Sequence, residues 1–241
     1  MVDEEFARWA VGYSGFDGGN PRGSTWLCGI ENAGDDTDET LVFNDASVPG
    51  FVGDHSWPQG GSEFLSCSRF NQNAIKLLMA IKGRSDFENC RAFFKSEKCF
   101  RKDSDYFKLN LYPIAFRDVS PLRWMSWHTK RTGFDDKVSY WQWCADKRFK
   151  MMRTWVREFS PKLIVCAGVT ERDYFFQAFT DGEVTQSCTA GNKSITYALT
   201  NAGKTLVAVT YFLGGRWGLN SDVKLRETGI KLAELTRERR T

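Results

Sequence analysis

The sequence predicts an α/β fold, a three-layer sandwich in which a central, mostly parallel sheet carries helices on both faces. Three observations lead there. Short apolar runs bounded by Gly, Pro and Asn alternate along the chain with segments whose apolar residues recur every three to four positions. That alternation is what strands joined by crossover helices leave in a sequence. The third is size: 241 residues, 41% of them hydrophobic, suffice for one substantial core.

Residues 3–13 set Phe6, Trp9 and Ala10 on one face of a helix, and the Gly/Asn/Pro-rich stretch 15–23 ends it. Residues 26–30 (WLCGI) form a buried strand breaking into Glu31-Asn32-Ala33-Gly34. The polar, Gly-rich stretch 35–63 holds Phe51 and Trp57, and a loop of that length is uncommon unless it binds or covers something. A helix follows over 69–82 on Phe70, Ala74, Leu77, Leu78 and Ile81, then a strand over 107–112 stopped by Pro113. The Trp-rich stretch 116–145 mixes helix and loop, and 146–159 is a basic helix. Residues 162–168 make a third strand leading into a helix over 170–179 capped by Thr170. Strands over 194–200 and 205–212 flank Asn201-Ala202-Gly203-Lys204 as a hairpin. A Gly-rich loop then leads to a last helix over 221–238, capped by Ser221 or Asp222. No internal repeat is visible, and the whole chain, 1–241, reads as one domain with insertions near 35–63 and 116–145. In such sheets ligands collect at the carboxyl ends of the strands, which places Glu31, Pro113, the Gly168 turn and the 212–220 loop on one rim.

Composition narrows the function. Lys and Arg (33) exceed Asp and Glu (30) only slightly, so nucleic-acid binding by bulk charge is excluded and any DNA contact needs a local basic patch. Aromatics at 15% serve mostly the core, with some left to stack on flat ligands. Cysteines 28, 67, 90, 99, 144, 166 and 188 lack zinc or disulfide-framework spacing. The Asp3-Glu4-Glu5 opening is not that of a signal peptide, and no apolar run has membrane-spanning length. The expectation is a cytoplasmic monomer with no cofactor and no metal.

Four segments, in order, resemble the uracil-DNA-glycosylase superfamily. Gly29-Ile30-Glu31-Asn32-Ala33-Gly34 is similar to its first motif, and Leu109-Asn110-Leu111 to the strand carrying a base-reading asparagine. Pro161 through Gly168 resembles its third strand, and Val209-Thr210-Tyr211-Phe212 with residues 213–220 occupies the place of its final motif. The likeness spans residues 24–235. The proline common in the first motif is absent, with Ala33-Gly34 in its place, and Tyr211-Phe212 stands near the position of the final motif's histidine.

The resemblance implies a DNA partner and a monofunctional glycosylase that flips a pyrimidine out of the stack and hydrolyses its N-glycosidic bond. The bond breaks with positive charge on the sugar and negative charge on the base, so an anion beside the sugar and donors for the base are required. Glu31 suits the first role; otherwise it caps its turn or pairs with an arginine, and Asp35 and Asp36 are the substitute acids. Asn110 suits the second, or ties neighbouring loops together. Gly29, Ile30 and Asn32 complete the first motif, and Tyr211 and Phe212 border the base. Phe51, Trp57 or Phe64 offers a stacking surface. Arg216 is placed for a phosphate, with Trp217 and Leu219 as apolar groups entering the gap a flipped nucleotide leaves. His55 and His128 read as surface histidines in polar loops, and no lysine occupies a nucleophile position. Loss of the proline and histidine, with the long 35–63 loop, implies a bulkier base than uracil. Such bases occur in some bacterial virus genomes, which extends the reading to defence. The alternatives are a non-catalytic nucleic-acid-binding module and a hydrolase of free nucleosides or nucleotides.

Overall fold

The computed structural model describes residues 1–16, 18–32, 34, 43 and 68–238. Its centre is a seven-stranded mixed sheet ordered β1-β3-β2-β4-β7-β6-β5. Four adjacent strands run parallel: β3 (Tyr106–Asn110), β2 (Thr25–Gly29), β4 (Leu163–Ala167) and β7 (Thr205–Thr210). All four are buried on both faces, as parallel strands covered by helices must be. The predicted hairpin is present, with β6 (Lys193–Thr200) antiparallel to β7 and Asn201 and Ala202 in left-handed conformation at the turn.

Two antiparallel additions escaped the sequence reading. Gly18–Gly19 forms β1 inside the expected loop and pairs with β3, and Gln186–Ala190 forms β5 beside β6. Neither segment has the alternating β-branched pattern by which strands are recognised.

One face of the sheet carries α1 (Glu4–Ala10), α4 (Ser126–Thr132), α5 (Lys137–Asp146), α6 (Arg148–Phe159) and α7 (Arg172–Phe179) over a core rich in Phe, Tyr and Trp. The other carries α2 (Arg69–Ile81), α3 (Cys90–Ser96) and α8 (Asp222–Glu238) over a more aliphatic core. The Trp-rich stretch thus resolves into α4 and α5, and α3 is a helix the sequence reading left unassigned. α1 stops at Ala10, short of the expected helix, and Asp3 caps it by accepting from the Phe6 amide at 2.8 Å. Thr170 does not cap α7, because it lies inside a 3₁₀ turn, Val169–Glu171, that precedes the helix. Ser221 does cap α8, its Oγ accepting from Lys224 N at 3.4 Å.

α2 and α8 lie close together. Gly229 of α8 sits against Ala80 so tightly that a Cβ there would overlap the Ala80 methyl, and Lys76 pairs with Asp222 at 2.7 Å. No described helix is long and apolar enough to cross a membrane.

Candidate active site

The carboxyl ends of β2 and β3 are stitched together past the strands themselves. Leu111 N donates to Gly29 O (3.1 Å), Tyr112 N to Ile30 O (3.0 Å) and Phe116 N to Asn32 O (3.0 Å). The chain carrying Glu31 is therefore held along its length by residues 111–116 rather than left as a free loop.

Beside this seam lies a cleft of about 870 Å³, lined by Gly29–Asn32, residues 68–71 at the start of α2, Lys108, Asn110, residues 115–119, Phe212, Gly214 and Gly215. Three cations, Arg69, Lys108 and Arg117, border it, with Phe70, Phe116 and Phe212 as aromatic walls. Phe70 and Phe212 meet at 5.2 Å between ring centroids.

The Glu31 side chain is 4% exposed, and its Oε1 accepts from Lys137 Nζ at 3.1 Å. Neither capping nor pairing with arginine describes it, because the partner is a lysine. Oε2 is buried and has no hydrogen-bond partner among the described residues. Burial pushes the Glu31 carboxyl up to about 7, against the pull of Lys137, with Glu171 and Asp118 adding to the rise.

Asn110 is buried, and its Nδ2 donates to Gly15 O (2.9 Å) and Asn32 Oδ1 (2.8 Å). Asn32 Nδ2 donates to the same Gly15 carbonyl at 3.2 Å. Both Asn110 amide protons are thus committed to protein acceptors, which is the loop-tying role, one of the two the sequence left open. Gly29 leaves room for this amide, since a Cβ there would collide with Asn110 Oδ1. Ile30 turns its side chain into the core beneath Gly168.

Below this network lies Arg148, fully buried at the start of α6. Its guanidinium donates to the carbonyls of Ala10, Gly12, Ser14, Asn110 and Leu111 and to Ser14 Oγ, over the Phe16 ring at 5.0 Å. It thus ties the segment ending in Gly15 to the end of β3.

The 212–220 loop is closed by Leu219 N donating to Phe212 O at 2.8 Å. Asn73 of α2 clamps both ends, its Nδ2 donating to Leu213 O (2.7 Å) and Leu219 O (3.1 Å). Leu219 is fully buried beside Leu213 and Leu225, so the expectation that it enters DNA is corrected: it anchors the loop. Trp217 is 75% exposed, and the Arg216 guanidinium lies 5.2 Å from its ring centre. Lys193 donates to Trp217 O at 2.9 Å and covers half-buried Tyr211 at 4.1 Å; Phe212 is exposed.

Because Trp217 is held by its backbone and not by core packing, Trp217→Ala is expected to leave the melting temperature within a degree or two. A stacking residue is worth roughly 1–3 kcal/mol, so DNA affinity measured by fluorescence anisotropy should fall accordingly. A large drop in melting temperature with unchanged affinity would show that Trp217 packs as core.

His128 is a correction as well. It is fully buried in α4, stacked on Phe116, Trp124 and Trp127, with Nδ1 accepting from Met125 N at 3.0 Å. Phe51, Trp57, Phe64, Asp35, Asp36 and His55 lie outside the described residues.

The sequence reading missed Lys137, Asn73, Arg148 and Lys108, yet three of them left a signal. Arg148 falls on the apolar stripe with Phe149, Met152, Trp155 and Val156, and Asn73 on that with Phe70, Ala74 and Leu77. Lys108 stands between Phe107 and Leu109 in a strand buried on both faces. Lys137 follows two aspartates and reads as a solvated helix start. Compared with protein-family models, curated proteins and solved structures, the chain matches none of them.

Proposed function

We propose that this chain is a monofunctional DNA glycosylase that hydrolyses the N-glycosidic bond of a flipped, enlarged pyrimidine. The observation that carries the reading is the buried Glu31 carboxyl, one oxygen of which has no partner among the described residues, lining a cleft also bordered by the loop that bears Trp217. In this mechanism Trp217 fills the gap left in the duplex, while Arg216 and the cations on the cleft border hold phosphates. The C1′–N bond breaks with its electron pair leaving on the base. Ionised Glu31 stabilises the sugar cation and takes the proton of the water that adds to C1′.

A cleft of about 870 Å³ far exceeds a single pyrimidine ring and supports a base with a bulky substituent. Such bases occur in the DNA of some bacterial viruses, which makes defence against them the biological setting proposed here. Abasic sites counted in uracil-containing, unmodified, hydroxymethylated and glucosylated DNA test the reading. Release is expected from the bulkier bases; efficient release of uracil alone would sink it. A second reading, a binding module without catalysis, is favoured by the commitment of the Asn110 donors to Gly15 and Asn32. Tight DNA binding with no release from any substrate would select it.

A further inference from the structure

We infer that Lys137 is a positioning residue that makes Glu31 a directed carboxylate, fixing Oε1 and with it the orientation of the whole carboxyl group at the cleft wall. The inference deepens the glycosylase reading and rests on it for the identity of the ligand, but the pair itself does not.

The geometry starts at Asp136. Its side chain accepts from Ser139 N at 2.7 Å, which fixes Lys137 as the first residue of α5. A cation there meets the positive end of the helix dipole, and the first turn has no acidic residue to offset it. The side chain is nonetheless fully buried. Its ammonium donates to Glu31 Oε1 and Asp118 O, each at 3.1 Å, and lies 3.6 Å from the centre of the Phe116 ring and 5.2 Å from that of Trp141. Phe116 and Asp118 both line the cleft, so the contacts that hold the lysine also fix the carboxylate relative to the cleft wall. A buried cation opposed by its own helix needs the anion opposite it, and the anion needs the cation.

Among the described residues, other ionisable groups bearing on the pair come from several neighbouring elements. These are Asp118 beyond β3, Glu171 in the turn after β4, Tyr112 after β3 and Tyr140 on α5. Among the described residues, Lys137 favours the ionised carboxylate, while burial, Glu171 and Asp118 oppose it. Without Lys137 the carboxyl therefore holds its proton well above neutral pH and cannot serve a cationic sugar.

The test compares the parent with Lys137→Met, Lys137→Gln and Lys137→Arg. Two readouts are used: the pH profile of base release, and the NMR titration of the Glu31 carboxyl carbon, assigned with Glu31→Gln. Both inflections should move up by at least one pH unit in Lys137→Met and return most of the way in Lys137→Arg. Lys137→Gln keeps a donor of similar reach without charge and serves the same comparison should the methionine variant not fold. An unmoved carboxyl titration in the uncharged variants would overturn the inference. If the parent releases no base from any substrate, the proposed reaction fails, yet the titration still decides whether Lys137 governs Glu31.

Discussion

Glu31→Gln is expected to lose base release by several orders of magnitude in protein that still folds, though less stably than the parent because buried Lys137 loses its anion. The amide keeps the size of the carboxyl but supplies neither the anion opposite the sugar cation nor a base for the attacking water, and electrostatic stabilisation is usually the largest catalytic contribution. The pH dependence follows from burial. The parent's Glu31 titrates near 7, so release should rise with pH through that value and level off above it.

Stability runs the other way. Between roughly pH 4.5 and 7 the unfolded chain has lost this proton while the folded chain keeps it, so the group's contribution to stability is full below that window. It is lost as pH rises through it, by on the order of 3 kcal/mol. Denaturant midpoints across that range should show the fall in the parent and a flatter profile in Glu31→Gln. Turnover within a few-fold of the parent would move the chemistry to Asp35 or Asp36.

Arg148→Met carries the largest expected cost in stability, about 3 kcal/mol or more, because several buried carbonyls lose their donor at roughly 1–3 kcal/mol each. Methionine fills much of the volume, so the loss comes from the carbonyls of Ala10, Gly12, Ser14, Asn110 and Leu111, which the arginine satisfies from one planar group. Burial pushes the guanidinium down to about 10, which still leaves it charged at neutral pH. Lysine cannot reproduce the fork, so Arg148→Lys should recover only part of the loss. Urea denaturation measures both variants. A cost under about 1 kcal/mol would show that α1 packing alone secures the segment from Ala10 to Gly15.

The parallel strands were legible because each is a short apolar run ending in Gly or Pro, and their rim followed from alternation with helices. α2 was legible from its period, α6 as a basic run ending before Pro161, and α8 from the cap at its start. β1 and β5 were not, because Gly18–Gly19 and Gln186–Ala190 become strands only by pairing with neighbours already in place. At the site, Glu31 could be singled out by its place at the end of a strand. Its partner could not, since Lys137 lies 106 residues away and only the folded chain makes it a buried cation. Asn110 was located correctly, but whether its amide faced a ligand or a loop depended on the Gly15 carbonyl. His128 was misjudged because Ser126, Thr129 and Lys130 around it suggest a surface loop, whereas the fold buries it in a stack with Phe116, Trp124 and Trp127.

The contact between Gly229 and Ala80 reaches further than packing. α2 supplies one wall of the cleft and, through Asn73, grips the loop that forms its lip; α8 begins where that loop ends. At Gly229 α8 approaches α2 more closely than a side chain there would allow, since an added Cβ would overlap Ala80. The packing of α2, which supplies one wall of the cleft, thus depends on a position buried between two helices, outside the cleft lining.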